Sequence, residues 1–202
     1  MSTAVKALDV ILARRSIGRL CEPAPADDDV QTILRAGAAA PDHGELRPWS
    51  FVVLRGAGKD AFGEVLAKAY DGRCHEGSTE PIGAKREKER TKLGRAPLVI
   101  VVSVRRQAAA ANPKIPWEDV VGAGYAACQN MLLAAKALGF DGMWRTGEVC
   151  NDDLIKTAMG LDADDVITGY LYLGTPYEGG DKPPHDPDLD GLVTEWSSPA
   201  RP

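Results

Sequence analysis

The sequence predicts an α+β fold: a sandwich in which one mostly antiparallel sheet is flanked by helices. Three observations carry this expectation. Leu98–Val104 is an almost wholly apolar, β-branched run with no polar face, and such a run belongs at the centre of a sheet. Residues 117–138 carry the longest helical pattern in the chain. Between these two, strands and helices follow one another without the strict strand–helix–strand alternation that a parallel sheet requires.

Composition sets the bounds. With 202 residues, 44% of them hydrophobic, the chain can bury one good core, and a single domain over residues 1–202 is expected. A net charge of −5 with scattered Lys and Arg argues against a nucleic-acid surface. No apolar run approaches the ~20 residues of a membrane span, and Met1-Ser2-Thr3 leads into an amphipathic segment lacking the apolar stretch of a signal peptide. A cytoplasmic protein is expected. Cys21, Cys74, Cys128 and Cys150 stand far apart, and so do His43, His75 and His185. Free thiols and no metal site follow from that dispersal.

Taken in order, Val5, Leu8, Ile11 and Leu12 predict a first helix over residues 4–14. One of the aspartates Asp27, Asp28 and Asp29 should cap a second helix that turns Val30, Ile33, Leu34 and Gly37 inward and stops at Pro41. Residues 50–54 read as a buried strand, and Phe62, Val65, Leu66 and Ala69 mark a third helix. Residues 71–94 lose periodicity and carry the mixed run Lys85-Arg86-Glu87-Lys88-Glu89-Arg90, which reads as a solvated helix or an excursion able to cover a pocket. In the long helix, Gly122-Ala123-Gly124-Tyr125-Ala126-Ala127 is poor in bulk and permits close approach by another helix, including one from a second copy, while a tightly packed core helix explains the pattern as well. A short strand through Met143 and Trp144 follows. Asn151-Asp152-Asp153 should then cap a helix through Met159, and residues 166–173 form a strand ended by Gly174-Thr175-Pro176. Prolines and glycines deny regular structure to residues 177–191, after which residues 192–196 regain strand character in a tail that could cross to a partner.

The loop of residues 39–49 is more structured in composition than a spacer needs. Pro41 and Pro48 fix φ, Gly44 supplies freedom, and His43 and Trp49 stand near its ends. Upstream, Arg14-Arg15-Ser16 closes the first helix, where guanidinium forks and a hydroxyl make a compact oxyanion cradle. The simpler reading of the two arginines is that they complement the negative end of the helix dipole. Together with Trp144-Arg145-Thr146 downstream, these segments read as walls of a pocket for a flat, anionic cofactor such as flavin mononucleotide (FMN).

In order and spacing, Arg14-Arg15-Ser16, Pro41-Asp42-His43 with Pro48-Trp49, Gly142-Met143-Trp144-Arg145-Thr146 and Leu173-Gly174-Thr175-Pro176 resemble the nitroreductase family of flavoenzymes, and within it the small NAD(P)H nitroreductases. The resemblance covers nearly the whole chain. It implies a homodimer with an FMN at each end of the shared interface. Arg14, Arg15 and Ser16 would hold the phosphate and ribityl end, Trp144, Arg145 and Thr146 would line the same subunit's side, and Ala39 and His43 would come from the other subunit. A contact to NADH or NADPH falls near Lys136 and Gly139. Two departures from the family pattern stand out. The place after Ile17, basic in many members, is Gly18 followed by Arg19, and after Gly174 the chain offers only Lys182 and Arg201 as a C-terminal phosphate contact.

The resemblance implies an FMN-dependent oxidoreductase in which NAD(P)H reduces the flavin and an electron-poor small molecule, nitroaromatic or quinone-like, reoxidises it by a ping-pong scheme. No side chain is expected to be an obligatory general acid, since the redox chemistry is intrinsic to FMN. Two alternatives remain at this point: a flavin-binding module without turnover, and an enzyme of the same fold with another acceptor, such as a dehydrogenase or dehalogenase.

Overall fold

The computed structural model describes residues 3–73, 82–184 and 186–196. Helix α1 (Thr3–Ala13) leads to the two-residue strand β1 (Leu20–Cys21), helix α2 (Asp27–Ala38), strand β2 (Trp49–Arg55) and helix α3 (Gly56–Arg73). Helix α4 (Ile82–Thr91) precedes strand β3 (Leu98–Val104), and helix α5 (Trp117–Ala137) precedes strand β4 (Asp141–Arg145). Helix α6 (Asp153–Ala158) and strand β5 (Val166–Pro176) complete the described elements.

The sheet runs β1-β5-β3-β2, with β4 also paired to β5, and all of its strand pairs are antiparallel. Every residue of β3 is buried between β2 and β5, as its unbroken apolar run requires. One face buries Leu66, Val99, Val101, Ile155, Tyr170 and Tyr172 beneath α3 and α6. The other buries Ile33, Ile100, Val102, Met131, Leu171 and Leu173 beneath α2 and α5. Each such aliphatic side chain contributes ~1.5–3 kcal/mol of transfer free energy.

Several expectations need correction. No aspartate caps α2: Ala26 takes the N-cap position and Asp29 Oδ2 accepts its N–H at 3.1 Å, while all three aspartates lie in the first turn beside the positive end of the dipole. The expected β2 is half-buried rather than buried, because it is the sheet's edge. In the small-residue run of α5, Gly124 fits the second of its two readings, a tightly packed core helix, with the sheet against it. A Cβ on Gly124 would stand 2.5 Å from Val104 Cγ2 and 2.7 Å from Thr168 Cγ2. Strand β5 does not stop before Gly174 but runs on to Pro176, since β1 supplies a further partner: Leu20 opposes Pro176 and Cys21 opposes Thr175. Residues 192–196 form no strand; Leu192 N–H turns back to Leu189 O at 3.0 Å.

Other expectations match. Asp152 caps α6, accepting from the N–H groups of Leu154 and Ile155 at 3.0 and 3.2 Å. Within 71–94, α4 is the solvated helix: it is docked on α3, with Arg86 paired to Asp71 at 2.9 Å and Arg90 to Glu64 at 3.4 Å. Residues 74–81, the middle of that stretch, lie outside the described residues, as do Cys74, His75, His185 and Arg201.

Candidate functional site

The first part of the site forms where α1 ends. Arg14 N–H closes the last helical turn on Val10 O at 3.0 Å, and the chain then extends beside β4. Ser16 makes a parallel bridge with Gly142, and Ile17 N–H donates to Gly142 O at 3.1 Å. The tail returns to the same place after β5. Lys182 Nζ donates to Ser16 O at 2.7 Å, and Arg15 Nη1 donates to Pro183 O at 2.6 Å. The Arg19 guanidinium lies over the Tyr177 ring, 5.8 Å from its centroid. Ile17, Gly18, Arg19, Tyr177, Gly180 and Lys182 line a cleft of ≈ 340 Å³. Arg15, Arg19 and Lys182 are thereby gathered around the Ser16 segment that Arg14 precedes, a donor set suited to a phosphate dianion.

Strand alternation decides what the second part presents. Trp144 and Arg145 are neighbours in sequence, so they point to opposite faces of the sheet. Trp144 packs over the Gly169 backbone on the α5 face. Its Nε1–H donates to Thr168 O at 3.0 Å, and its ring stands 6.0 Å from that of Tyr125. Arg145 opposes Tyr170 in the β4–β5 register on the other face, with its guanidinium 5.9 Å from the Tyr172 ring centroid. There, Arg145, Thr146, Tyr170, Tyr172 and Lys92 surround a small enclosed cavity of ≈ 70 Å³. Both Arg145 Nε and Tyr170 Oη are buried without a hydrogen-bond partner. Burial pushes both tyrosine hydroxyls up, Tyr172 to about 12, with the Arg145 charge acting in the opposite direction on Tyr172.

Ala39 and His43 lie elsewhere. Ala39 is exposed at the end of α2 and lines an apolar groove of ≈ 440 Å³ with Val10 and Ile11 of α1 and Asn130, Leu133 and Ala137 of α5. His43 Nδ1 is 3.2 Å from Asp119 Oδ2 in the first turn of α5. Its loop is held in an unusual path: Gly44, Glu45 and Arg47 have φ of 80°, 54° and 47°, and Asp42 Oδ2 accepts Arg47 N–H at 2.5 Å. A left-handed conformation costs a non-glycine residue on the order of 1 kcal/mol or more, and it persists where the surroundings impose it. Beneath this loop sits Ile115, whose Cδ1 a Cβ on Gly44 would meet at 2.6 Å.

The segment from Lys136 to Gly139 has clear structural duties. Lys136 Nζ binds both carboxylate oxygens of the buried Asp141 at 3.0 Å. Gly139, at φ 92°, ends α5, and Phe140 N–H then returns to Ala135 O at 2.9 Å. This ties the C-terminal end of α5 to the start of β4, next to the Arg14-Arg15-Ser16 cradle. Gly142 packs against Leu132, so the cradle stands level with that residue. Asp119 is thirteen residues away along α5, which at 1.5 Å per residue separates His43 from the cradle by ~20 Å.

Two participants escaped the reading of the sequence. Asp119 was not singled out, because a carboxylate in a helix's first turn reads as dipole compensation. Lys182 was named only as one of two cations in the tail, and its contact with Ser16 spans 166 positions. Among the described residues no group of three or more His, Cys, Asp or Glu side chains could hold a metal ion.

A model of the nitroreductase family matches residues 11–175, and the chain belongs to that family. It is 39% identical over 189 residues to the Escherichia coli (strain K12) protein named "Putative NAD(P)H nitroreductase YdjA", a match covering 93% of this chain and 98% of that one. A Haemophilus influenzae protein with the same type of name is 31% identical over 93% of this chain and 98% of its own length. Among solved structures, a Desulfovibrio desulfuricans nitroreductase in complex with FMN is 28% identical, with a TM-score of 0.70 over 96% of this chain and 98% of that one. The nitroreductase-like protein of Bacillus cereus shares the fold at 22% identity, with a TM-score of 0.72 over 98% of this chain and 100% of that one.

Proposed function

We propose that the protein is an FMN-dependent oxidoreductase that takes electrons from NADH or NADPH and passes them to an electron-poor acceptor, nitroaromatic or quinone-like, in a ping-pong cycle. The observation that carries this reading is the convergence of Arg15, Ser16 and Lys182 beside the start of β4, with Arg14 their neighbour in sequence. The donor set fits the phosphate of FMN, and the buried, unpartnered Nε of Arg145 offers a further donor near Thr146. Bound FMN would supply the hydride-accepting and electron-passing chemistry that no side chain of this protein has. The family relationship and the FMN complex of the Desulfovibrio desulfuricans relative support the cofactor assignment.

The roles of the chain's own residues follow from their chemistry. Arg14 and Lys182 hold the phosphate by charge-assisted hydrogen bonds, and Ser16 adds a neutral one. Arg15, partly spent on Pro183 O, also fastens the tail. Of these two β4 side chains, which point to opposite faces of the sheet, Trp144 would give the α5 side an apolar, rigid flank through its bond to Thr168, and Arg145 would favour electron uptake by its charge from the other face. Lys136 and Gly139 remain the place for a nicotinamide-dinucleotide contact, although Asp141 already engages the lysine.

We also place the protein in the cytoplasm as a homodimer built on the α1–α2–α5 face. Leu8, Ile11 and Leu12 of α1 are exposed, Ile11 lining an apolar groove shared with α2 and α5, and such a face needs a partner. Leu192, Val193 and Trp196 of the tail are 75%, 68% and 83% exposed, which suits a segment that packs on the second copy. The ~20 Å between His43 and the cradle favours His43 serving the partner's cofactor, and Ala39 is assigned there with it from the family resemblance.

An anaerobic absorbance titration tests the central claim. FMN added to the purified protein should be retained as a yellow complex and bleach within seconds of adding NADH or NADPH. Protein that stays colourless would overturn the cofactor assignment. Bound flavin that persists in its oxidised colour would overturn the nicotinamide half.

A further inference from the structure

We propose that Asp119 is a positioning residue for His43: it holds the imidazole in the tautomer with the proton on Nδ1, and so presents Nε2 to the ligand of the site. The inference rests on the flavin-site reading only for what Nε2 faces.

Several observations build it. His43 Nδ1 lies 3.2 Å from Asp119 Oδ2, and a carboxylate can only accept, so the proton of that bond belongs to Nδ1. Neutral imidazole carries one N–H, which leaves Nε2 with its lone pair. That atom can accept from an N–H or O–H at a ligand's edge, and it becomes a donor only when the ring is protonated. The backbone on the histidine side is fixed independently. Gly44, Glu45 and Arg47 hold left-handed conformations, Asp42 Oδ2 closes the loop on Arg47 N–H, and Ile115 supports it from below. The backbone that carries the carboxylate is fixed too, because Asp119 sits in the first turn of the 21-residue helix α5, whose Val120 is fully buried.

Two rigid elements far apart in sequence therefore converge on one exposed imidazole. The His43 and Asp119 side chains are 60% and 51% exposed, so the pair makes little net contribution to folding. Its effect is to select one tautomer and one ring orientation. The partners that orient a ligand-binding histidine elsewhere in proteins act in this way.

The test uses the full-length protein with ¹⁵N-labelled histidine. Long-range ¹H–¹⁵N spectra of the wild type, with His43 assigned by comparison with H43Q, should show the neutral ring protonated at Nδ1. In Asp119→Ala the signals should move to the Nε2–H form favoured by free imidazole, and Asp119→Glu should restore the wild-type pattern. An unchanged tautomer in Asp119→Ala, in protein whose circular dichroism is that of the wild type, overturns the positioning role. In the FMN-loaded protein, Asp119→Ala should raise cofactor dissociation or acceptor KM by about tenfold, with Glu rescuing it. If H43Q changes neither quantity, Nε2 does not face the ligand and that half of the inference falls. The flavin reading itself is judged separately, by whether FMN binds the wild-type protein at all.

Discussion

Lys182 reaches the backbone of Ser16, two residues after Arg14, from the other end of the chain, and replacing Arg14 and Lys182 separates a cofactor site from a surface cluster. Arg14→Ala and Lys182→Ala should each weaken FMN retention by about 1.5–3 kcal/mol, the range for a lost charge-assisted hydrogen bond, as measured by equilibrium dialysis. Retention unchanged in both would remove the phosphate from the cradle. Lys136 is a different case, since its ammonium already satisfies Asp141, whose side chain is only 8% exposed. Lys136→Met strands that carboxylate and should cost about 3 kcal/mol in denaturant unfolding. If KM for NADH and NADPH stays at the wild-type value while stability drops, the lysine is structural and the dinucleotide binds elsewhere. At this scale the sequence was half legible. Arg14-Arg15-Ser16 announces itself through composition, whereas the opposed directions of Trp144 and Arg145 need the period of a strand to be applied. The pairings of Lys182 with Ser16 and of His43 with Asp119 are long-range contacts that no local pattern encodes.

Among the elements, β3 was readable to the residue because burial on both faces leaves no polar position to blur its ends. The end of β5 was not, since Gly174-Thr175-Pro176 has the composition of a terminator, and only the distant β1 turns it into paired strand. The capping of α2 misled for a related reason: three consecutive aspartates offer equivalent local choices, and the packing of Val30 and Ile33 selects the frame. Helix α1 is the element with most still at stake. Its Leu8, Ile11 and Leu12 are exposed, although an amphipathic helix should bury such a stripe. Ile11→Asp would set a carboxylate in the proposed contact and should convert a dimer into monomers in sedimentation velocity, with loss of bound FMN. A variant that sediments as a dimer would move the interface to another face.

The whole molecule carries a prediction about alkali. Burial raises the Cys150 thiol to about 11 and the Cys128 thiol to about 12, from an ordinary value of 9.0, and raises Tyr172 to about 12. In these windows the folded chain keeps protons that the unfolded chain releases, so unfolding is favoured as pH rises. The stability these groups contribute is fully present below pH ~9 and is lost progressively toward pH ~12. Urea midpoints measured at pH 8, 10 and 11 should fall in that order, and both thiols should resist alkylating reagents at pH 8 until the chain unfolds. A flat series would mean that the unfolded chain shields these groups as well as the fold does. The fold class was legible at this scale because hydrophobic pattern alone dictates a sheet with covered faces. The proposed division of the site came only from the family resemblance, because the distance that α5 sets between its two ends is not written in any local pattern.

That ~20 Å span along α5 makes the protein a subject for genetic complementation. In the proposed dimer each site draws its phosphate cradle from one chain and its histidine from the other, so Arg14 and His43 of a single chain belong to different sites. Coexpressing an Arg14→Ala chain with a His43→Ala chain should yield mixed dimers in which one site carries both lesions and the other none. Each mixed dimer should regain up to half the wild-type turnover, and a randomly paired mixture about a quarter per dimer, while either variant alone stays impaired. Absence of any recovery, with mixed dimers demonstrated by mass, would return both residues to the same site.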